Sequence, residues 1–189
     1  MLIDTSDFRN GMGLVVDGDV YQLKEFQHVK PGKGGAFVRT TLKNVKSGRT
    51  LEKTFRAGEK FPRAHLEHKP MQYLYNNGTE YFFMDMESYE QISIPTSDVG
   101  PGAKYLKEGT EVAVLTHDGH VLELEVPITM ELAVTQTDPG LRGDTATGGS
   151  KAATLETGAV IQVPLFVTAG EVVKVDTRTN EYLGRVKAS

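Results

Sequence analysis

The 189-residue chain contains no cysteine and no tryptophan. Without Cys there is no disulfide scaffold, no thiolate-held zinc or iron–sulfur centre and no thiol nucleophile. No apolar run approaches the ~20 residues that cross a bilayer. The opening Met1-Leu2-Ile3-Asp4 lacks the basic-then-apolar order of a secretory signal. These absences predict a soluble, cytoplasmic protein with no membrane role. Phosphate-binding glycine signatures are missing as well: there is no G-x-x-x-x-G-K-[ST] and no G-x-G-x-x-G. Ser93, within Gln91-Ile92-Ser93-Ile94-Pro95, is not in a nucleophile elbow. His65/His68 and His117/His120 are spaced as two ligands on one helix would be, but they fall after a turn and around an Asp-Gly turn. We therefore expect no metal site, no cofactor and no catalytic residue, and the chain is not read as an enzyme.

Helical periodicity is nearly absent, and β-branched and aromatic runs alternate with turn residues instead. Leu14–Val16 faces Val20–Leu23 across Asp17-Gly18, and Ala36–Leu42 faces Thr50–Phe55 across Lys46-Ser47-Gly48. Gln72–Tyr75 faces Tyr81–Met84 across Asn77-Gly78, so the sequon-like Asn77-Gly78-Thr79 reads as a turn. Val112–Leu115 faces Val121–Leu124 across Asp118-Gly119, and Val172–Val175 faces Tyr182–Val186 across Arg178-Thr179-Asn180. Asp-Gly and Asn-Gly permit the positive φ angles of a type I′ turn, whose twist matches that of the strands. The fold class is all-β. One stretch, Asp98–Lys107, reads as a turn or two of helix anchored by Tyr105 and Leu106. The turn-rich Ala57–Pro62 and the dipeptide Val126-Pro127 divide the chain into residues 1–62, 63–127 and 128–189. Each piece suits a small SH3-like or OB-type barrel, and no sequence repeat links them.

Charge is uneven across these pieces. The net formal charge of −4 is the sum of +4 over residues 1–62, −7 over 63–127 and −1 over 128–189. The first piece is suited to face phosphates and the middle one to face away from them, or to meet a basic protein. Within the basic piece, Lys30-Pro31-Gly32-Lys33-Gly34-Gly35 joins two strands. Pro31-Gly32 sets a turn, and the glycines leave Lys33 without a bulky neighbour, a thin finger with a cationic tip. It reads as a plain flexible hairpin, a phosphate-contacting loop or a lysine presented for modification. Arg39, Lys43, Lys53 and Arg56 lie close by in sequence and are candidate phosphate contacts. A second long loop, Thr137–Lys151, is rich in Gly, Thr and Asp, with cations at Arg142 and Lys151. It is either disordered or a contact for a ribose-phosphate strand.

Five segments in order resemble the bacterial elongation factor P family: Lys30-Pro31-Gly32-Lys33-Gly34-x-Ala36-Phe37, Glu52–Phe55, Thr137-Asp138-Pro139-Gly140-x-x-Gly143-Asp144-Thr145, Ala153–Ala159 and Val175–Arg178. Ala152, where members often have proline, and the variable Gly35 are small departures. The resemblance implies a KOW/SH3-like barrel followed by two OB-like barrels, arranged as an L that mimics tRNA. It implies binding to both ribosomal subunits between the P and E sites, as a monomer, and rescue of stalls at consecutive prolines. Lys33 is then the lysine extended by a modifying enzyme, and it points at the CCA end of P-site peptidyl-tRNA. β-Lysine and aminopentanol both occur on such loops and hypusine in eukaryotic and archaeal relatives, while Phe26-Gln27-His28-Val29-Lys30 resembles the Gram-positive type, which leans towards aminopentanol or no modification. Lys30, Pro31, Gly32, Gly34 and Gly35 support it; Gly143, Asp144 and Thr145 approach the E-site codon of the mRNA. The alternatives are an elongation-factor-P-like paralogue, a generic OB-fold single-stranded RNA binder and, with no nucleophile–base pair to support it, a small β-barrel hydrolase.

Overall fold

The structure is a computed structural model describing residues 1–140 and 148–187. The chain gathers into two compact units, Met1–Lys69 with Val114–Glu123, and Pro70–Ala113 with Leu124–Ser189. It is all-β. Sixteen strands are described, with two short 3₁₀ turns, Thr5–Asp7 and Pro101–Tyr105. All five hairpins read from the sequence form. Asp17 and Gly18 (φ 52° and 87°) and Asp118 and Gly119 (φ 48° and 78°) adopt the paired positive angles of a type I′ turn.

The first sheet orders its strands β1-β6-β2-β3-β4-β5. These are β1 (Leu2–Asp4), β2 (Gly13–Val16), β3 (Asp19–Val29), β4 (Phe37–Asn44), β5 (Thr50–Arg56) and β6 (Lys60–Ala64). β6 falls where the sequence shows a turn-rich break. It pairs Phe61 with Ile3 and Pro62 with Leu2. The missed signal is Phe61: it is buried against Phe8 and Phe55, with ring centroids 6.1 and 4.6 Å away. Ile3, Phe8, Leu14, Val16, Leu23, Val38, Leu42 and Phe55 share this core with it. Burying such side chains, at about 1.5–3 kcal/mol each, is what draws β6 in despite its proline.

The second sheet runs β11-β10-β7-β8-β9, from β7 (Leu66–Asn76), β8 (Glu80–Asp85), β9 (Gln91–Pro95), β10 (Glu111–His117) and β11 (His120–Glu125). The expected short helix is the 3₁₀ turn Pro101–Tyr105. Pro101 begins it, and Tyr105 and Leu106 are buried. The last five strands close into a barrel, β12-β13-β14-β16-β15: β12 (Thr129–Thr137), β13 (Ser150–Leu155), β14 (Val160–Pro164), β15 (Val172–Asp176) and β16 (Glu181–Arg185). Numbered within their own segments, both sets read first-second-third around to fifth-fourth-first, the OB order. In the last set, a parallel pairing of Gln162 with Glu181 closes the seam between third and fifth. The topology repeats although the sequence does not.

Candidate functional site

β3 and β4 carry the lysine finger. They are antiparallel, and their last registered pair is Val29 with Phe37. The chain between them, Lys30 to Gly35, is exposed throughout. Its base is held where the Ala57 N–H donates to the Ala36 carbonyl at 3.0 Å. Gly34 has φ +107°, which L side chains rarely adopt. Gly32 and Gly35 differ: a Cβ on either would meet nothing within 4 Å. Among the described residues no packing neighbour requires these two to be small. Lys33 stands between them with no carboxylate partner among the described residues.

Register places the flanking cations. Residues directly opposite one another share a face, which gives three rows across β3, β4 and β5: Val29–Phe37–Arg56, Gln27–Arg39–Thr54 and Glu25–Thr41–Glu52. Arg39 and Arg56 therefore share the outer face nearest the finger. Arg39 lies 5.6 Å from the Phe37 ring, a cation–π distance that fixes its direction. Neither arginine side chain meets a carboxylate among the described residues. Farther from the finger the same face becomes a polar groove of about 390 Å³, where Glu25 and Glu52 sit near Arg39. Cations are concentrated at the finger end, and carboxylates enter the face beyond it.

The other two predicted contacts are engaged elsewhere. Lys43 lies four residues along β4 from Arg39, about 13 Å at strand rise. Its Nζ is 2.6 Å from Glu123 Oε1 on β11, with the side chains 23% and 29% exposed. Lys53 alternates onto the core-side face with buried Phe55, and its Nζ reaches Asp17 Oδ2 at 2.8 Å. Sequence proximity grouped the four cations; strand alternation and two carboxylates divide them.

In the closed barrel, Gly143, Asp144 and Thr145 lie outside the described residues, as does Arg142. The base of their loop is pinned: Lys151 Nζ donates to the Asp138 carbonyl at 2.6 Å, and Thr137 Oγ1 to that of Ala152 at 2.8 Å. Val175–Arg178, noted in the sequence only as a resemblance, is a structural knot. The Asp176 carboxylate accepts from the Arg178 guanidinium at 3.0 Å and from the backbone N–H groups of Arg178 and Thr179 at 2.8 and 3.2 Å. The Arg178 guanidinium, followed by these amides, holds the Asp176 pKa down to about 2. Thr177 Oγ1 donates to the Pro127 carbonyl at 2.7 Å. His117 and His120 flank the Asp118-Gly119 turn as the sequence suggests, whereas His65 occupies the one-residue break between β6 and β7 and His68 lies within β7. His117 Nδ1 donates to the His65 carbonyl at 3.0 Å, and no metal-competent cluster occurs among the described residues.

The chain matches family models along most of its length. Residues 4–61 match the elongation factor P KOW-like domain, 66–124 the elongation factor P OB domain and 130–185 the elongation factor P C-terminal domain. It is 56% identical over 184 residues to the elongation factor P of Moorella thermoacetica, covering 97% of this chain and all of that one. It is 55% identical over 186 residues to that of Natranaerobius thermophilus, covering 98% and 99%. The chain belongs to the elongation factor P family. Among solved structures, eukaryotic translation initiation factor 5A from Methanococcus jannaschii aligns with a TM-score of 0.51 at 21% identity, covering 67% of this chain and 92% of that one. That likeness speaks to the fold alone. Membership makes the chain a translation elongation factor. Among the described residues no helix is long and apolar enough to cross a membrane.

Proposed function

We propose that this elongation factor P family member binds the ribosome between the P and E sites and speeds peptide-bond formation at consecutive prolines by positioning the CCA end of peptidyl-tRNA. The observation that carries this reading is the finger: a slim, exposed, unpaired Lys33 with Arg39 and Arg56 on the adjoining face. Proline is a poor reactant because its nitrogen is a secondary amine and its φ is fixed. A peptidyl-proline held out of line loses effective molarity, which can change a rate by orders of magnitude. A cationic arm that orders the CCA end restores alignment without acid–base chemistry, so the factor is not itself an enzyme. In this reading residues 1–62 face the tRNA, 63–127 form an acidic spacer, and 128–189 bring Gly143, Asp144 and Thr145 to the E-site codon. The protein acts as a monomer in the cytoplasm, and a modifying enzyme extends Lys33.

The test is synthesis of a three-proline reporter in a reconstituted translation system. Wild type should raise full-length yield, and Lys33→Ala should lose that stimulation while keeping its circular dichroism spectrum. Equal stimulation by both proteins would sink the role given to Lys33. The intact mass of the native protein reads the modification as an increment, and its loss in Lys33→Ala places it on Lys33.

A further inference from the structure

The 3₁₀ turn Pro101–Tyr105 belongs by sequence to the second sheet, and its continuation is tied there: the Tyr73 N–H donates to the Thr110 carbonyl at 2.8 Å, and the Gly109 N–H to that of Tyr73 at 2.9 Å. Yet Tyr105 is fully buried in the core of the closed barrel, in one cluster with Met130, Leu132, Val173 and Val175. Its hydroxyl donates to Asn180 Oδ1 at 2.6 Å, in the turn that Asp176 organises. Two further contacts bracket the ring. Lys107 Nζ donates to the Glu131 carbonyl at 3.1 Å. Gly102 packs so closely that a Cβ there would meet Val126 Cγ2 at 2.6 Å.

We infer that Tyr105 is a positioning residue that locks the closed barrel onto the second sheet. A side chain rooted in one structure and buried in the core of the next removes the freedom that the short Val126–Ile128 connector would leave. Rotation about that connector would pull a large aromatic ring out of a packed core and strip a buried hydroxyl of its acceptor. The consequence for function rests on the reading above. A factor that spans from a CCA end to an E-site codon delivers its two ends together only if the parts between them are rigid.

The absence of cysteine makes a direct test straightforward. Spin labels are placed on Gln91→Cys in β9 and Lys174→Cys in β15, both exposed, and their distance distribution is read by pulsed dipolar spectroscopy. The starting protein and Tyr105→Phe, which keeps the ring, should each give one narrow distance. Tyr105→Ala should at least double the width while hydrogen exchange still shows a folded barrel. Should Tyr105→Ala fail to fold, Tyr105→Leu decides: it keeps an apolar side chain in the core but loses the ring and its hydroxyl, so it should broaden or shift the distance. An unchanged narrow distribution in the deciding variant, or Tyr105→Phe as broad as Tyr105→Ala, overturns the inference. In the three-proline reporter, Tyr105→Ala should lose at least about fivefold of the stimulation that Tyr105→Phe retains. If wild type itself gives no stimulation, the proposed function fails and the distance measurement still decides the role of Tyr105.

Discussion

Replacing Arg39 and Lys43 one at a time separates phosphate contact from structural pairing. The two cations share an outer face of β4, and sequence alone treats them alike. Arg39 is exposed, rests on Phe37 and has no carboxylate partner among the described residues. Its loss to alanine should cost under about 1 kcal/mol of stability, the scale of an exposed cation–π contact. Lys43 is joined to Glu123 at 2.6 Å with both side chains less than a third exposed. Exposed pairs contribute ~0–1 kcal/mol, and breaking a buried pair costs ~3–5. The Lys43 pair lies between, so Lys43→Ala should cost about 1–2 kcal/mol and lower the melting temperature by roughly 2–8 °C. Ribosome binding should show the opposite ranking. Each phosphate contact contributes ~0.7–0.9 to the slope of log affinity against log salt, so Arg39→Ala should flatten that slope by about 1. Lys43→Ala should leave it unchanged. Titration of fluorescent protein onto vacant ribosomes at several salt concentrations, with calorimetry on the same preparations, measures both. A flattened slope for Lys43→Ala with an unchanged one for Arg39→Ala would refute the division of this face into a phosphate end and a structural end.

Three other outcomes follow from the same geometry. Gly32→Val should leave stability within about 0.5 kcal/mol, since a Cβ there meets nothing, yet reduce three-proline synthesis because the finger is thicker; full activity would show that the finger enters no narrow space. Lys33→Arg should keep the ribosome-binding salt slope while giving up any chemistry specific to a lysine amine, so intact mass should show no increment and stimulation should fall. Asp176 has a folded pKa of about 2, below its ordinary 3.8. The stability it contributes is therefore present above the unfolded value and lost as pH falls through about 2. Asp176→Asn should abolish that part of the acid sensitivity of the closed barrel, measured by thermal melts between pH 5 and pH 2; an identical acid slope in the variant would contradict the assignment.

How much of this was legible beforehand depends on the range of the interaction. The five hairpins could be read because Asp-Gly, Asn-Gly and their flanking β-branched runs act within about ten residues. The finger could be read for the same reason, since its glycines and proline shape only their own neighbourhood. β6 was missed because Phe61 is buried by Phe8, far away in the chain, and by Phe55, near in sequence but on a strand that is not its neighbour in the sheet. The division of the cations was missed because Asp17 and Glu123 lie 36 and 80 residues from the lysines they hold.

By itself, then, the sequence determined an all-β chain, the place of the lysine finger and the uneven charge, and through its motifs the family. The absence of cysteine leaves burial, hydrogen bonding and ion pairs, with no disulfide, to hold such a chain together. Only the tertiary structure decided which cations pair with carboxylates, that the second and third segments repeat one strand order, and that Tyr105 completes a core other than that of its own segment. Local turn chemistry is written residue by residue along the chain. Which face a lysine ends on and which core receives a ring are set by strand register and long-range packing.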